Sequence, residues 1–158
     1  MPSAFSIRPA HRDDVPALVQ LIGQLAAHHS DTPTTNATLL ERDAFGADPW
    51  IEILVAQSSE RLIGYTVLCP LYRAQLGQRG LNMHHLLVVE DWRSKGVGRA
   101  LIEAMLARAR ELDCTYVKVG THPDNEAARR FYLAYGFEPA APGPQFRFNL
   151  TAPARSDK

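Results

Sequence analysis

The sequence predicts a single α/β domain, and three observations carry that expectation. Short apolar or alternating runs recur along the chain, separated by Gly-, Pro- and Ser-containing punctuation, as strands do. Between them lie four stretches whose apolar residues repeat at helical spacing. The continuous run Leu86-Leu87-Val88-Val89, moreover, passes through a glycine turn directly into the longest of those stretches. The 158 residues suit one domain with a sizeable core, placed here at residues 5–150, with residues 151–158 expected to be a disordered tail.

Taken in order, Phe5-Ser6-Ile7-Arg8 alternates and reads as a first strand. Asp13 and Asp14 favour a helix start, and Val15, Leu18, Val19, Leu21, Ile22 and Leu25 give that helix an apolar face. Residues 31–36 read as a loop, and a short helix is expected from Ala37 to Phe45. After Gly46-Ala47-Asp48-Pro49, two strands (Trp50–Ala56 and Leu62–Cys69) flank Ser58-Ser59-Glu60-Arg61 as a hairpin. A strand from Leu81 to Val89 ends in a run apolar on both faces, which predicts a place near the middle of the sheet.

The spacing then predicts a helix from Gly96 to Leu112, with Val97, Leu101 and Met105 at i+4 intervals. Thr115–Val119 reads as a strand and Asn125–Tyr135 as a helix stopped by Gly136. Two last strands are expected at Phe137 and at Gln145–Leu150, with Pro139, Pro142 and Pro144 between them.

Composition narrows the function classes. Lys plus Arg and Asp plus Glu each total 17, so the net charge of zero removes any broad electrostatic case for nucleic acid or an anionic membrane as partner. Cys69 and Cys114 stand far apart in no metal-ligand spacing, and read as reduced packing residues. No basic segment leads into an apolar core at the N-terminus, and no run approaches membrane-spanning length, so a cytoplasmic protein is expected.

The chemistry concentrates where the apolar run meets the helix: Glu90-Asp91-Trp92-Arg93-Ser94-Lys95-Gly96-Val97-Gly98-Arg99. Unpaired N–H groups at a helix N-terminus carry partial positive charge, and glycines let that backbone approach a phosphate. Arg93, Lys95 and Arg99 add cations. A plain glycine turn with solvated basic residues has the same local composition. The Gly-Lys-Ser/Thr ending of a P-loop is missing, and so is the third glycine of a dinucleotide-binding fingerprint.

The spacing Arg93-x-x-Gly96-x-Gly98 directly after a strand resembles the pyrophosphate loop of the GNAT acetyltransferases. A second stretch, Asn125-Glu126-Ala127-Ala128-Arg129-Arg130-Phe131-Tyr132-Leu133-Ala134-Tyr135-Gly136-Phe137, resembles that family's later motif, Asn-x-x-Ala-x-x-Phe-Tyr-x-x-x-Gly-Phe. The two occur in the family's order with one strand between them.

That resemblance implies a mixed, mostly antiparallel twisted sheet of six to seven strands, splayed at its centre and flanked by about four helices. It implies acetyl-CoA as co-substrate and no metal. The pantetheine arm would lie along Leu86, Leu87 and Val88, with the pyrophosphate over Ser94, Lys95, Gly96, Val97, Gly98 and Arg99. Arg93 and Asn125 would also contact the cofactor, and Tyr132 matches the general acid that protonates the departing thiolate. Acetyl would pass by direct attack to a primary amine of a small molecule, and the family often forms homodimers, here through the two late strands.

A primary alkylamine has a pKa of about 10.4 and is charged at neutral pH, so a base must deprotonate it. Many relatives place a carboxylate on the central strand, where this chain has His84 followed by His85. Histidine titrates near neutrality, and His84 is the candidate base; strand alternation predicts that only one of the pair faces the cleft. The stretch from Leu39 to Ala56 resembles the diamine (spermidine/spermine-like) branch, but His84, His85 and Arg73 stand where a polycation would need acids. A smaller amine, an amino acid derivative or a thialysine-like compound fits at least as well, and acetylation of a protein amine is a further alternative. Two rival classes remain: a nucleotide-binding protein using the same turn, and a GNAT domain that senses acetyl-CoA without catalysis.

Overall fold

The computed structural model describes residues 4–28, 34–140 and 145–151. Two compact units divide the chain, residues 1–120 and 121–158. The first holds β1 (Ser6–Pro9), α1 (Val15–His28), α2 (Ala37–Phe45), β2 (Glu52–Ser58), β3 (Arg61–Arg73), β4 (Gln78–Val88), α3 (Val97–Glu111) and β5 (Cys114–Val119). The second holds α4 (Glu126–Tyr135). The five strands lie in sequence order, antiparallel except for the parallel pair β4–β5.

Alternation gives the sheet two apolar faces. Opposite Ala56, Gly64 lies beneath α3, where an added Cβ would stand 3.5 Å from both Val97 and Leu101. Leu101, Ile102 and Met105 are fully enclosed on that side. On the other face Tyr65 and Val67 are buried, and α1, with Val15, Leu18 and Leu21 inward, packs on β3. These predicted faces are the ones that form the core.

The sheet has five strands among the described residues, not six or seven. Neither Phe137 nor Gln145–Leu150 is a strand. Alternation marks the faces of an extended segment, but a strand also needs a neighbour to bond to, and none pairs with this segment among the described residues. Phe146, Phe148 and Leu150 are accordingly exposed. Residues 31–33 of the expected loop, Pro142 and Pro144, and residues 152–158 of the expected tail lie outside the described residues. No helix among the described residues is long and apolar enough to cross a membrane.

Asp13 and Asp14 close a 3₁₀ turn (Arg12–Asp14) that leads into α1. Asp14 accepts from Arg8 at 2.7 and 3.0 Å and from the His11 N–H at 2.6 Å, which ties β1 to the helix. The Arg8 hydrogen bonds hold the Asp14 carboxyl below its usual pKa. A carboxylate depressed in the folded state stabilises above its unfolded pKa, and that gain disappears as pH falls through the folded value. Asp14→Asn should therefore cost about 1 kcal/mol near pH 7 and almost nothing near pH 2. Thermal melts at the two pH values check this, and an equal loss at both would refute it.

Candidate active site

The central feature is a parting between β4 and β5. Their parallel pairing runs from Arg79 opposite Cys114 to Met83 opposite Val119, and then stops. β4 continues from His84 to Val88 with β3 on one side and, among the described residues of the first unit, no strand on the other. Val89 N–H donates to Ile63 O at 2.9 Å, so alternation points the amide groups of Leu87 toward β3 and those of Leu86 and Val88 to the open edge. One outward acceptor is already engaged: Arg93 Nε donates to Val88 O at 3.0 Å.

Immediately beyond the parting, the chain makes its glycine turn. Ser94 and Gly96 take left-handed conformations, with φ 61° and 88°, and α3 starts at Val97. The first intrahelical bond of α3 runs from Ala100 N–H to Gly96 O at 3.0 Å. The N–H groups of Val97, Gly98 and Arg99 therefore precede the helical ladder, at the positive end of a 15-residue helix. Lys95 Nζ lies 5.4 Å from the centroid of Trp92, and Arg99 pairs with Glu103 at 3.3 Å. All three predicted cations surround the turn, each held by a contact of its own.

At the base of the parting, β4 departs from strict alternation. Val67 pairs with His85 and Leu68 with Met83, leaving His84 as an extra residue. Such a bulge puts two successive side chains on the same face. The imidazoles of His84 and His85 stack, with centroids 4.2 Å apart and planes at 19°. The expectation that only one of them faces the cleft fails for this reason: both point to the face opposite α3. His84 is exposed and His85 half-buried.

Behind His85 lies Tyr65, whose hydroxyl is 3.5 Å from Nδ1, while Thr66 donates to His85 O at 2.6 Å. Burial pushes the Tyr65 phenol up. Sequence reasoning gave Tyr65 and Trp92 no role in the site, since each looks like an ordinary core aromatic until its neighbours are known.

In the second unit, Asn125 caps α4 by accepting from Ala128 N–H at 3.0 Å, and Gly136 ends the helix at φ 123°. The Asn125 amide oxygen thus serves the helix, which leaves its NH₂ for any ligand. Tyr132 packs edge-on against Phe131 and Phe137, with both centroids 5.6 Å away, and burial pushes its phenol up to about 12.

The sequence profile of the Acetyltransferase (GNAT) family matches residues 20–137. The chain belongs to the GNAT family. Both motif stretches lie inside the matched region, which crosses from the first unit into the second.

The chain is 31% identical to rat (Rattus norvegicus) N-acetyltransferase 8B over 84 residues, covering 53% of this chain and 38% of that protein. It therefore spans well under two-thirds of that relative. Pig (Sus scrofa) thialysine N-epsilon-acetyltransferase is 24% identical over 140 residues, 82% of each chain. Among solved structures, an aminoglycoside acetyltransferase from a soil metagenome, in complex with sisomicin, superposes with a TM-score of 0.76 at 18% identity, covering 93% of this chain and 97% of that one. At that identity the likeness speaks for the GNAT fold alone.

Proposed function

We propose that this GNAT protein is an N-acetyltransferase that moves an acetyl group from acetyl-CoA to a primary amine of a small molecule, by direct attack in a ternary complex. The observation that carries the reading is the open edge of β4 from His84 to Val88, leading straight through the glycine turn into the N-terminus of α3. The edge offers backbone groups to an amide-bearing arm, and the helix start suits its pyrophosphate.

When bound, acetyl-CoA supplies a thioester that an amine can attack. In this reading the outward backbone groups of Leu86 and Val88 hold the pantetheine arm, and one outward N–H faces the thioester carbonyl. The turn from Arg93 to Arg99 and the Asn125 amide hold the rest. His84 takes a proton from the acceptor ammonium. His85 stacks on the His84 ring, with centroids 4.2 Å apart, which fixes the imidazole of His84 on the exposed side of the pair. Tyr132 donates toward the leaving sulfur. The family match crossing both units supports reading residues 5–150 as one catalytic domain. The relative named for thialysine acetylates an ε-nitrogen by its name, which supports the substrate class.

Calorimetric titration with acetyl-CoA, followed by a thiol-release assay across an amine panel, tests this. Saturable binding with turnover on an amine is the expected result. Absence of binding would overturn the whole reading, and binding without turnover would favour a sensor.

A further inference from the structure

We propose that the acceptor amine carries a carboxylate, which Arg73 and Lys118 receive on the face of the sheet opposite α3. This rests on the acetyltransferase reading and deepens it.

The face is fixed by register. Leu81 lines a cavity with Arg108 and Leu112 of α3 and its following turn, so its neighbours Gly80 and Asn82 point the other way. Tyr116 pairs with Gly80, and a Cβ on Gly80 would meet the Tyr116 ring at 2.3 Å; the ring thus lies flat on the strand, on the face that the bulge gives to His84 and His85. The Arg73 guanidinium stands 5.7 Å from the centroid of that ring. Lys118, two residues beyond Tyr116, pairs with Asn82 and shares the same face.

The strands of this surface supply cations and no carboxylates. β3, β4 and β5 contain no Asp or Glu, and neither does α1, which packs on β3. No carboxylate among the described residues pairs with Arg73 or Lys118. A guanidinium stacked on an aromatic ring keeps its N–H fork available in plane, the geometry that suits a carboxylate. The same cations repel a second ammonium, so a diamine would meet unfavourable charge here.

Spacing agrees with a short bifunctional molecule. At a rise of about 3.3 Å per residue, Asn82 lies roughly 7 Å and Gly80 roughly 13 Å from His84 along β4. An ω-amino acid of five or six carbons spans roughly 7 Å when extended. With its amine at His84, its carboxylate falls beside Asn82, the residue paired with Lys118, one position pair short of the ring that Arg73 covers.

Three amines separate the possibilities: 6-aminohexanoate, hexylamine and cadaverine share an ω-aminoalkyl chain and differ at the far end. The expected result is a kcat/KM for 6-aminohexanoate at least tenfold above the other two, expressed chiefly in KM. Arg73→Gln with Lys118→Gln should shrink that gap below threefold, and Arg73→Glu should put cadaverine ahead. Equal efficiencies, or a native preference for cadaverine, would overturn the proposal. Calorimetric binding of the same amines in the presence of CoA provides a readout independent of turnover. If acetyl-CoA binds and no amine reacts, tighter binding of 6-aminohexanoate would uphold the carboxylate site while the transfer reading fell. Equal or absent amine binding would sink the site.

Discussion

Tyr132→Phe should lower turnover by about tenfold to a hundredfold while leaving acetyl-CoA affinity nearly unchanged. General acid–base catalysis is typically worth about 10²–10⁴-fold, and an effect at or below the bottom of that range is expected here for a specific reason. Burial holds the phenol at about 12. A leaving thiol has a pKa of about 8.5, so full proton transfer from this phenol to the thiolate runs uphill. In the proposed reaction Tyr132 would therefore act mainly by donating a hydrogen bond as charge develops on sulfur.

The sign of the pH effect follows. A phenol raised to about 12 stays protonated through the working range, so Tyr132 contributes no falling limb to the rate between pH 8 and 10. Any rise in kcat/KM with pH in that window belongs to the amine and its base. Parallel measurements of turnover and acetyl-CoA binding for the variant decide the matter. Unchanged turnover would remove Tyr132 from the mechanism, and a matching loss of cofactor affinity would make its role one of binding.

Gly64→Ala should destabilise the protein by about 1–3 kcal/mol and weaken acetyl-CoA binding with it. A Cβ on Gly64 would stand 2.7 Å from the carbonyl oxygen of Leu87, with Val97 and Leu101 side chains behind it at 3.5 Å. The carbonyl is backbone and cannot swing aside. Relief requires β4 to move at Leu87 or α3 to lift from the sheet, and those two elements wall the proposed cofactor slot. For a chain of this size, 1–3 kcal/mol corresponds to a fall of roughly 2–12 °C in melting temperature. A thermal melt and a cofactor titration on one preparation test both halves. An unchanged melting temperature would mean that the close approach is relieved without cost.

Much of the site was legible before the structure. The glycine turn announced itself through its residues, because left-handed backbone and an uncapped helix start leave glycines and polar residues behind. The stacked histidines were half legible. Leu81, Met83, His85 and Leu87 fall in one period-2 phase of the sequence, which strict alternation would place on one face. The bulge turns His85 and Leu87 to the other face, and nothing within β4 itself announces it. The partner strand decides it, through Val67 and Leu68.

The late strands show the opposite limit. Phe146, Phe148 and Leu150 alternate as strand residues do, yet no neighbour pairs with them among the described residues. Alternation is written in one segment, whereas pairing is a property of two.

The sequence by itself therefore determined the order of helices and strands as far as Tyr135, the apolar faces of α1 and α3, and the glycine turn at Gly96, because each arises from contacts within a few residues. Only the tertiary structure decided where β4 leaves β5, which way the two imidazoles turn, and that Arg73, Tyr116 and Lys118 share a face with them. These depend on register between segments distant in sequence, and a one-residue shift in register moves every side chain to the other face.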